Sequence, residues 1–108
     1  MDNTFDIIIK ILKRLEVAMD EDDPDFSDIQ PGGLEISDIK WVRIFQMIYE
    51  RGLIDGVDFT HFIGQEHPEV SFNDLRITLS GLEYLADNTS TAKLIKAAKL
   101  LKDTIPGI

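Results

Sequence analysis

The chain has 108 residues, no cysteine, 44% hydrophobic and 29% charged side chains, and a formal net charge of −9. This length predicts one globular domain, and the lack of cysteine excludes disulfides, thiolate metal sites and cysteine nucleophiles. The acidic balance argues against generic nucleic-acid binding, because neutralising phosphates requires a positive surface. No apolar run reaches the roughly 18 residues of a membrane helix, and the N-terminus lacks the basic start of a secretory leader. We therefore expect a cytoplasmic protein without membrane contact.

The charge is distributed unevenly along the chain. Residues 1–90 carry 7 basic and 19 acidic side chains, net −12, whereas residues 91–108 carry 4 basic and 1 acidic, net +3. A basic face can therefore form on an acidic protein. The side chains that could merge into such a face are Lys10, Lys13, Arg14, Lys40, Arg43 and the lysines of the last predicted helix.

The first predicted element is a helix over about residues 4–19, capped by Asn3 or Thr4, with Asp6 in its first turn. Apolar residues recur there at spacings of three and four. They predict an inward face of Phe5, Ile8, Ile9, Leu12, Leu15 and Met19, broadened by Ile7, Ile11 and Ala18. A helix this apolar is expected to be central.

An acidic stretch follows, with six carboxylates in nine positions at 20–28. Such a cluster suggests calcium, but the glycine and glutamate of an EF-hand loop are missing, so a solvated loop is the favoured interpretation. Residues 25–29 are expected to form a short helix that Phe26 and Ile29 anchor to the core. The Pro-Gly-Gly sequence at 31–33 is expected to end it.

The third predicted helix begins after Ser37, a good N-cap, and ends at Gly52, a suitable C′ residue. Its helical spacing predicts an inward face of Trp41, Val42, Ile44, Phe45, Ile48 and Tyr49. The outward face carries Lys40, Arg43, Gln46, Met47 and Glu50.

A hairpin is predicted next. Residues 53–62 are extended, with a break at Gly56, and residues 64–68 form a polar turn. Residues 75–79 are the return strand, because apolar residues alternate there with polar ones.

Two further helices are predicted after the hairpin. Thr78 is placed to cap a short helix over about residues 80–87. Residues 88–90 interrupt the helical pattern, and a last helix follows over about residues 91–104.

This order of elements predicts an α+β, mostly helical fold: a winged helix-turn-helix with a two-stranded wing and a C-terminal helical extension. We expect a single domain over 1–108, in which 1–79 form the helices and wing and 80–108 form the extension.

Two strings and a break also suggest a family. The strings are Gly-Leu-Ile-Asp-Gly-Val at 52–57 and Ile-Thr-Leu-Ser-Gly-Leu-Glu-Tyr-Leu at 77–85, and the break is Asn-Thr-Ser at 88–90, before a lysine-rich helix. In these features the chain resembles the YjcQ-like proteins, small proteins of Firmicutes and their phages, over nearly its whole length. The resemblance implies a winged-helix fold and a cytoplasmic, often prophage-borne protein, and no catalytic residue. The acidic stretch at 20–28 is longer than is usual there.

The fold suggests a DNA-binding or transcription-associated module. The third helix of a helix-turn-helix enters the major groove, where Arg reads guanine and Gln reads adenine. Lys40, Arg43 and Gln46 would enter the groove, and Arg76 on the wing would meet a phosphate of double-stranded DNA. Asp38 and Glu50 flank the three residues and repel phosphate. The alternative is a protein-interaction module without DNA binding, which the net charge favours.

The last predicted helix carries two stripes. Lys93, Lys96, Lys99 and Lys102 form a basic one, and Leu94, Ala98, Leu101 and Ile105 form an apolar one. The apolar stripe either docks on the domain or completes a homodimer. The lysines are then solvated, or they meet a phosphate backbone or the acidic loop of a neighbouring molecule.

No enzyme is expected. His61 and His67 lack the further ligands of a zinc site, the serines lack a histidine relay, and no glycine-rich phosphate loop follows a strand. The sequence therefore predicts no metal, no cofactor and no small-molecule substrate.

Overall fold

The computed structural model describes residues 3–89, in which three helices precede an antiparallel hairpin and one helix follows it. The elements are α1 (Thr4–Ala18), a 3₁₀ turn (Ser27–Ile29), α2 (Pro31–Leu34), α3 (Asp38–Glu50), β1 (Ile54–Thr60), β2 (Glu69–Ile77) and α4 (Leu79–Asn88). This is a mostly helical α+β arrangement of the winged-helix type, which confirms the predicted fold class. The predicted helix over 91–104 lies outside the described residues.

Helix α1 begins at a reciprocal cap. The Asn3 side chain accepts a hydrogen bond from the Asp6 amide at 2.9 Å, and the Asp6 carboxylate accepts one from the Asn3 amide at 3.4 Å. These bonds satisfy two amides that have no partner within the helix. Of the two caps that the sequence suggested, Asn3 is the one used. Within residues 3–89, no helix is long and apolar enough to cross a membrane.

The middle of α1 is covered, as expected of a central helix, and its buried residues are Ile7, Ile8, Ile11, Leu12 and Leu15. The predicted inward face is wrong at its ends, since Phe5 is 68% exposed and Met19 is 64% exposed. Phe5 lies in the first turn of the helix, and Met19 is its C-cap residue. The buried face is therefore centred on Ile7, Ile11 and Leu15.

The segment between α1 and α3 differs from its prediction. Only Ser27–Ile29 forms a helical turn, although Ile29 is buried and Phe26 packs on the core as expected. The Pro-Gly-Gly sequence does not end a helix. Pro31 begins α2 instead, because proline at the first helical position gives up no hydrogen bond there. Helix α2 ends at Glu35, whose φ of 57° is left-handed.

Helix α3 has the predicted start and end. The Ser37 hydroxyl accepts from the Lys40 amide at 3.2 Å, and Gly52 follows the helix with a φ of +74°. The inward residues Trp41, Val42, Ile44, Phe45 and Ile48 are buried. Tyr49, predicted to be inward, is 42% exposed. Its ring instead lies against Phe59 of β1, with the ring centroids 5.7 Å apart, at the outer side of the helix–hairpin contact.

The hairpin contains an irregularity that the alternation of side chains did not predict. Strand β2 begins at Glu69, well before the predicted residue 75, and ends at Ile77. The register changes from Asp55 opposite Arg76 to Val57 opposite Phe72. The chain bulges between these pairs, at Gly56 with a φ of +77° and Asp74 with a φ of +61°.

Helix α4 joins the base of the hairpin through Thr78. The Thr78 hydroxyl accepts from the Gly81 amide at 3.0 Å, which confirms the predicted cap, and it donates to the Gly52 carbonyl. The helix starts at Leu79, so this residue is not the end of the return strand as predicted. It is 73% exposed, while Leu85 is buried against the core.

Candidate functional site

The exposed side of α3 is the surface that a winged helix turns to a duplex. Burial of Trp41, Phe45 and Ile48 against the core fixes which side of the helix faces solvent. The Arg43 side chain is exposed, whereas Lys40 and Gln46 are half-buried. The three predicted base-reading residues therefore differ in how much of each side chain solvent can reach.

Two apolar side chains flank Arg43 on this surface. Ile39 is 39% exposed and Met47 is 45% exposed, and both lie four residues from Arg43, which places them one turn away on the same side. Met47 was predicted to face outward. Ile39 was missed, although its spacing of four from Arg43 was a usable signal. The centre of the α3 surface is therefore an arginine between two apolar groups.

Arg76, the predicted wing contact to phosphate, is bound within the protein. Its guanidinium lies 2.8 Å from the Asp55 carboxylate and 3.0 Å from the Asp74 carboxylate. It also donates to the Asp74 carbonyl at 3.1 Å. Within residues 54–77, Arg76 is the one lysine or arginine against five carboxylates, Asp55, Asp58, Glu66, Glu69 and Asp74. The hairpin is therefore an acidic surface, and its tip exposes Phe62 and Ile63.

A groove runs along α1 on another part of the surface. Its larger cleft, of about 600 Å³, is lined by Ile7, Lys10, Lys40 and residues 33–36. Its smaller cleft, of about 380 Å³, is lined by Lys10, Lys13, Arg14, Val17, Asp28, Ile29 and residues 33–34. The two clefts share Lys10, Gly33 and Leu34, so they lie next to each other, and together we call them the α1–α2 groove.

One wall of this groove is fixed by Arg14. Its guanidinium lies 2.7 Å from the Glu21 carboxylate and 3.4 Å from that of Asp28, and it donates to the Asp25 carbonyl at 2.9 Å. It also lies over the Phe26 ring, 5.4 Å from its centroid. The hydrogen bond to Glu21 raises the pKa of Arg14. Part of the acidic loop is thus tied to α1.

The groove brings together four of the cations that the sequence suggested for a basic face. Lys10, Lys13, Arg14 and Lys40 line the two adjoining clefts, whereas Arg43 lines neither. Lys40 thus lies with the α1 lysines as well as on the predicted DNA-reading helix. The sequence named these cations, but the grouping depends on how α1 packs against the start of α3.

Several predicted sites do not assemble within residues 3–89, or lie outside them. No group of three metal-ligating side chains forms in this range. His61 is exposed, and the His67 ring lies 3.2 Å from the Pro68 carbonyl through Nδ1. The partner surface of Leu94, Ala98, Leu101 and Ile105 lies outside the described part of the chain, as does the lysine stripe.

Comparison with known proteins identifies a family. The family model of the YjcQ protein matches residues 9–104, which is most of the chain. No curated protein and no solved structure matches it significantly. The matched range begins within α1 and includes the hairpin and α4, so it spans nearly the whole winged-helix arrangement. The chain therefore belongs to the YjcQ protein family, as its sequence resemblance indicated.

Proposed function

We propose that this chain is a non-enzymatic protein-interaction module built on a winged-helix scaffold. The observation that carries the proposal is the pairing of Arg76 with two carboxylates, Asp55 at 2.8 Å and Asp74 at 3.0 Å. Affinity for nucleic acid comes mainly from cations that neutralise phosphates. The basic side chain of this wing is already paired, and the wing carries five carboxylates against one arginine, so it repels a duplex.

The surface of α3 supports the same proposal. Ile39 and Met47 place apolar area on both sides of Arg43. Methionine and arginine are enriched in protein interfaces, and aspartate and glutamate are depleted at the centre of such interfaces. The centre of α3 has this composition, while Asp38 and Glu50 lie at its ends.

Duplex DNA is the second candidate partner, because Arg43 lies exposed at the middle of α3 and Gln46 follows one turn later. In this alternative Lys40, Arg43 and Gln46 contact the major groove. Arg76 would have to leave Asp55 and Asp74 in order to reach a phosphate.

A salt titration with a mixed-sequence duplex separates the two candidates. For the protein module we expect binding no tighter than about 10⁻⁴ M at physiological salt, the weak end of non-specific binding. We also expect Arg43→Glu and Arg51→Glu to behave alike, since both replace one exposed cation outside the wing. Tight binding that falls steeply with salt and is lost in Arg43→Glu, but kept in Arg51→Glu, would reject the proposal in favour of DNA.

A further inference from the structure

The basic side chains of the described part of the chain are concentrated in the α1–α2 groove. Residues 3–89 contain 7 basic and 18 acidic side chains. Four of the basic ones line this groove: Lys10, Lys13, Arg14 and Lys40. Only two carboxylates line it, those of Asp28 and Glu35. The groove is thus a positive depression on a negative molecule, and its field attracts an acidic group.

Lys13 and Lys40 provide positive charge in this depression. Arg14 is already paired with Glu21 at 2.7 Å and with Asp28 at 3.4 Å, so it adds little net charge to the groove. Lys13 is exposed on α1, and Lys40 is half-buried at the start of α3, so both ends of the groove carry a lysine. Glu35 is the remaining carboxylate in the lining.

Apolar side chains line both clefts of the groove. Ile7 and Ile29 are only 2% exposed, so most of the accessible apolar surface belongs to Val17, Leu34 and Ile36. Ile7 and Val17 of α1 lie at the two ends of the groove. Val17 lies ten positions after Ile7, which corresponds to about 15 Å of helix at 1.5 Å per residue. Between them, Leu34 lines both clefts, and Ile29 and Ile36 line one each. An elongated lining of this kind fits a chain segment with several apolar side chains better than a single compact ligand.

We propose that the α1–α2 groove binds an acidic amphipathic segment of a partner protein. The apolar side chains of the segment lie along Val17, Leu34 and Ile36, and its carboxylates lie beside the lysines. This inference rests on the proposed protein-interaction function and adds the binding surface and the chemistry of the partner. A nucleic-acid backbone carries charge to pair with the lysines, but it has no apolar side chains to contact the apolar residues of the groove.

The test is an NMR titration of the full chain with a designed helical peptide that carries leucine and phenylalanine on one face and glutamate elsewhere. Two control peptides replace glutamate by lysine, or leucine and phenylalanine by serine. We expect the acidic amphipathic peptide, and neither control peptide, to shift the amide signals of Ile7, Lys10, residues 33–36 and Lys40. The dissociation constant should rise at least tenfold in Lys13→Glu/Lys40→Glu. Arg51→Glu, the matched exposed charge reversal outside the groove, should leave it unchanged.

Four results would overturn the proposal: no shifts at saturating peptide, equal binding of the serine peptide, equal binding of the lysine peptide, or equal loss of affinity in Arg51→Glu. Lys13→Gln/Lys40→Gln is the second variant in case the charge reversal unfolds the chain. It should weaken binding in the same direction. Shifts confined to Ile39, Arg43 and Met47 would reject the groove but leave the protein-interaction function standing. Tight duplex binding with no response to the peptide would reject both.

Discussion

Asp55 and Arg76 lie directly opposite each other on β1 and β2, and the Arg76 guanidinium donates to the Asp55 carboxylate at 2.8 Å. The pair is the last regular one before the strand register changes. Arg76 also holds Asp74 through both its carbonyl and its carboxylate. One exposed arginine thus joins the two sides of the bulge, and Asp74 is the bulge residue other than glycine that has a left-handed φ.

We expect the Asp55–Arg76 pair to contribute little to stability by itself. The two side chains are 53% and 52% exposed, respectively, and exposed ion pairs typically contribute about 0.2–1 kcal/mol. A double-mutant cycle with Asp55→Ala and Arg76→Ala, followed by urea denaturation, should give a coupling energy in this range that falls in high salt. A coupling above about 2 kcal/mol that salt does not change would contradict the expectation.

Gly56→Ala should strongly destabilise the hairpin. A β-carbon at Gly56 would lie 2.1 Å from the Asp74 carbonyl oxygen, and the residue has a φ of +77°. The backbone must move to relieve this contact, so we expect a loss of about 3 kcal/mol or more in the free energy of unfolding. Gly64→Ala is the matched control, because Gly64 also has a positive φ but nothing lies within 4 Å of its β-carbon position. Equal losses in the two variants would show that strain of φ alone sets the effect.

Glu35→Gly should stabilise the chain. Glu35 ends α2 with a φ of 57°, a conformation that costs a residue with a β-carbon about 1–2 kcal/mol. We expect the free energy of unfolding, measured by urea denaturation, to rise by about 1 kcal/mol. The gain is smaller than the full cost of the left-handed conformation, because glycine also raises the conformational entropy of the unfolded chain. Glu35→Ala removes the same carboxylate and keeps the β-carbon, so it should give no such gain. An equal gain in both variants would assign the effect to charge.

Trp41→Phe should destabilise the core although it keeps an aromatic ring. The Trp41 indole N–H donates to the Ile29 carbonyl at 2.7 Å in a buried position. The variant leaves this carbonyl without its partner, which costs about 1–3 kcal/mol. Thermal unfolding by circular dichroism measures the loss. Ile39→Val, which removes one carbon at a partly exposed position of the same helix, should cost far less. A loss no larger than in that control would contradict the role of the hydrogen bond.

The sequence predicted those parts of the fold that depend on neighbouring residues. The caps at Asn3, Ser37 and Thr78 act over three residues and were read directly from residue type. The inward faces of α1 and α3 followed from spacing, and failed at Phe5 and Tyr49, where exposure depends on how far the covering elements extend.

The bulge could not be predicted in this way. It depends on Gly56 and Asp74, which are far apart in the chain and adjacent in the hairpin. The polar residues Asn73 and Asp74 interrupt the alternation of β2, so only the part from Leu75 onward resembled a strand.

The sequence predicted which residues could form the candidate site, but not how these residues are arranged in space. Helical spacing placed Arg43 and Gln46 on the outer face of α3, but it gave no sign that Arg76 is paired with Asp55, 21 positions away. The lysines of the α1–α2 groove come from α1 and α3, and their proximity is a tertiary property.

Thr78 couples the local unfolding of α4 to that of the hairpin base. Its hydroxyl joins the Gly52 carbonyl to the first turn of α4, and its amide donates to the Leu53 carbonyl at 3.1 Å. A β-carbon at Gly81 would lie 2.2 Å from that same Leu53 oxygen, so α4 sits directly on the strand base. The start of α4 therefore cannot fray independently of β1. In native-state hydrogen exchange, the amides of Thr78 and Gly81 should share one opening free energy with the hairpin base.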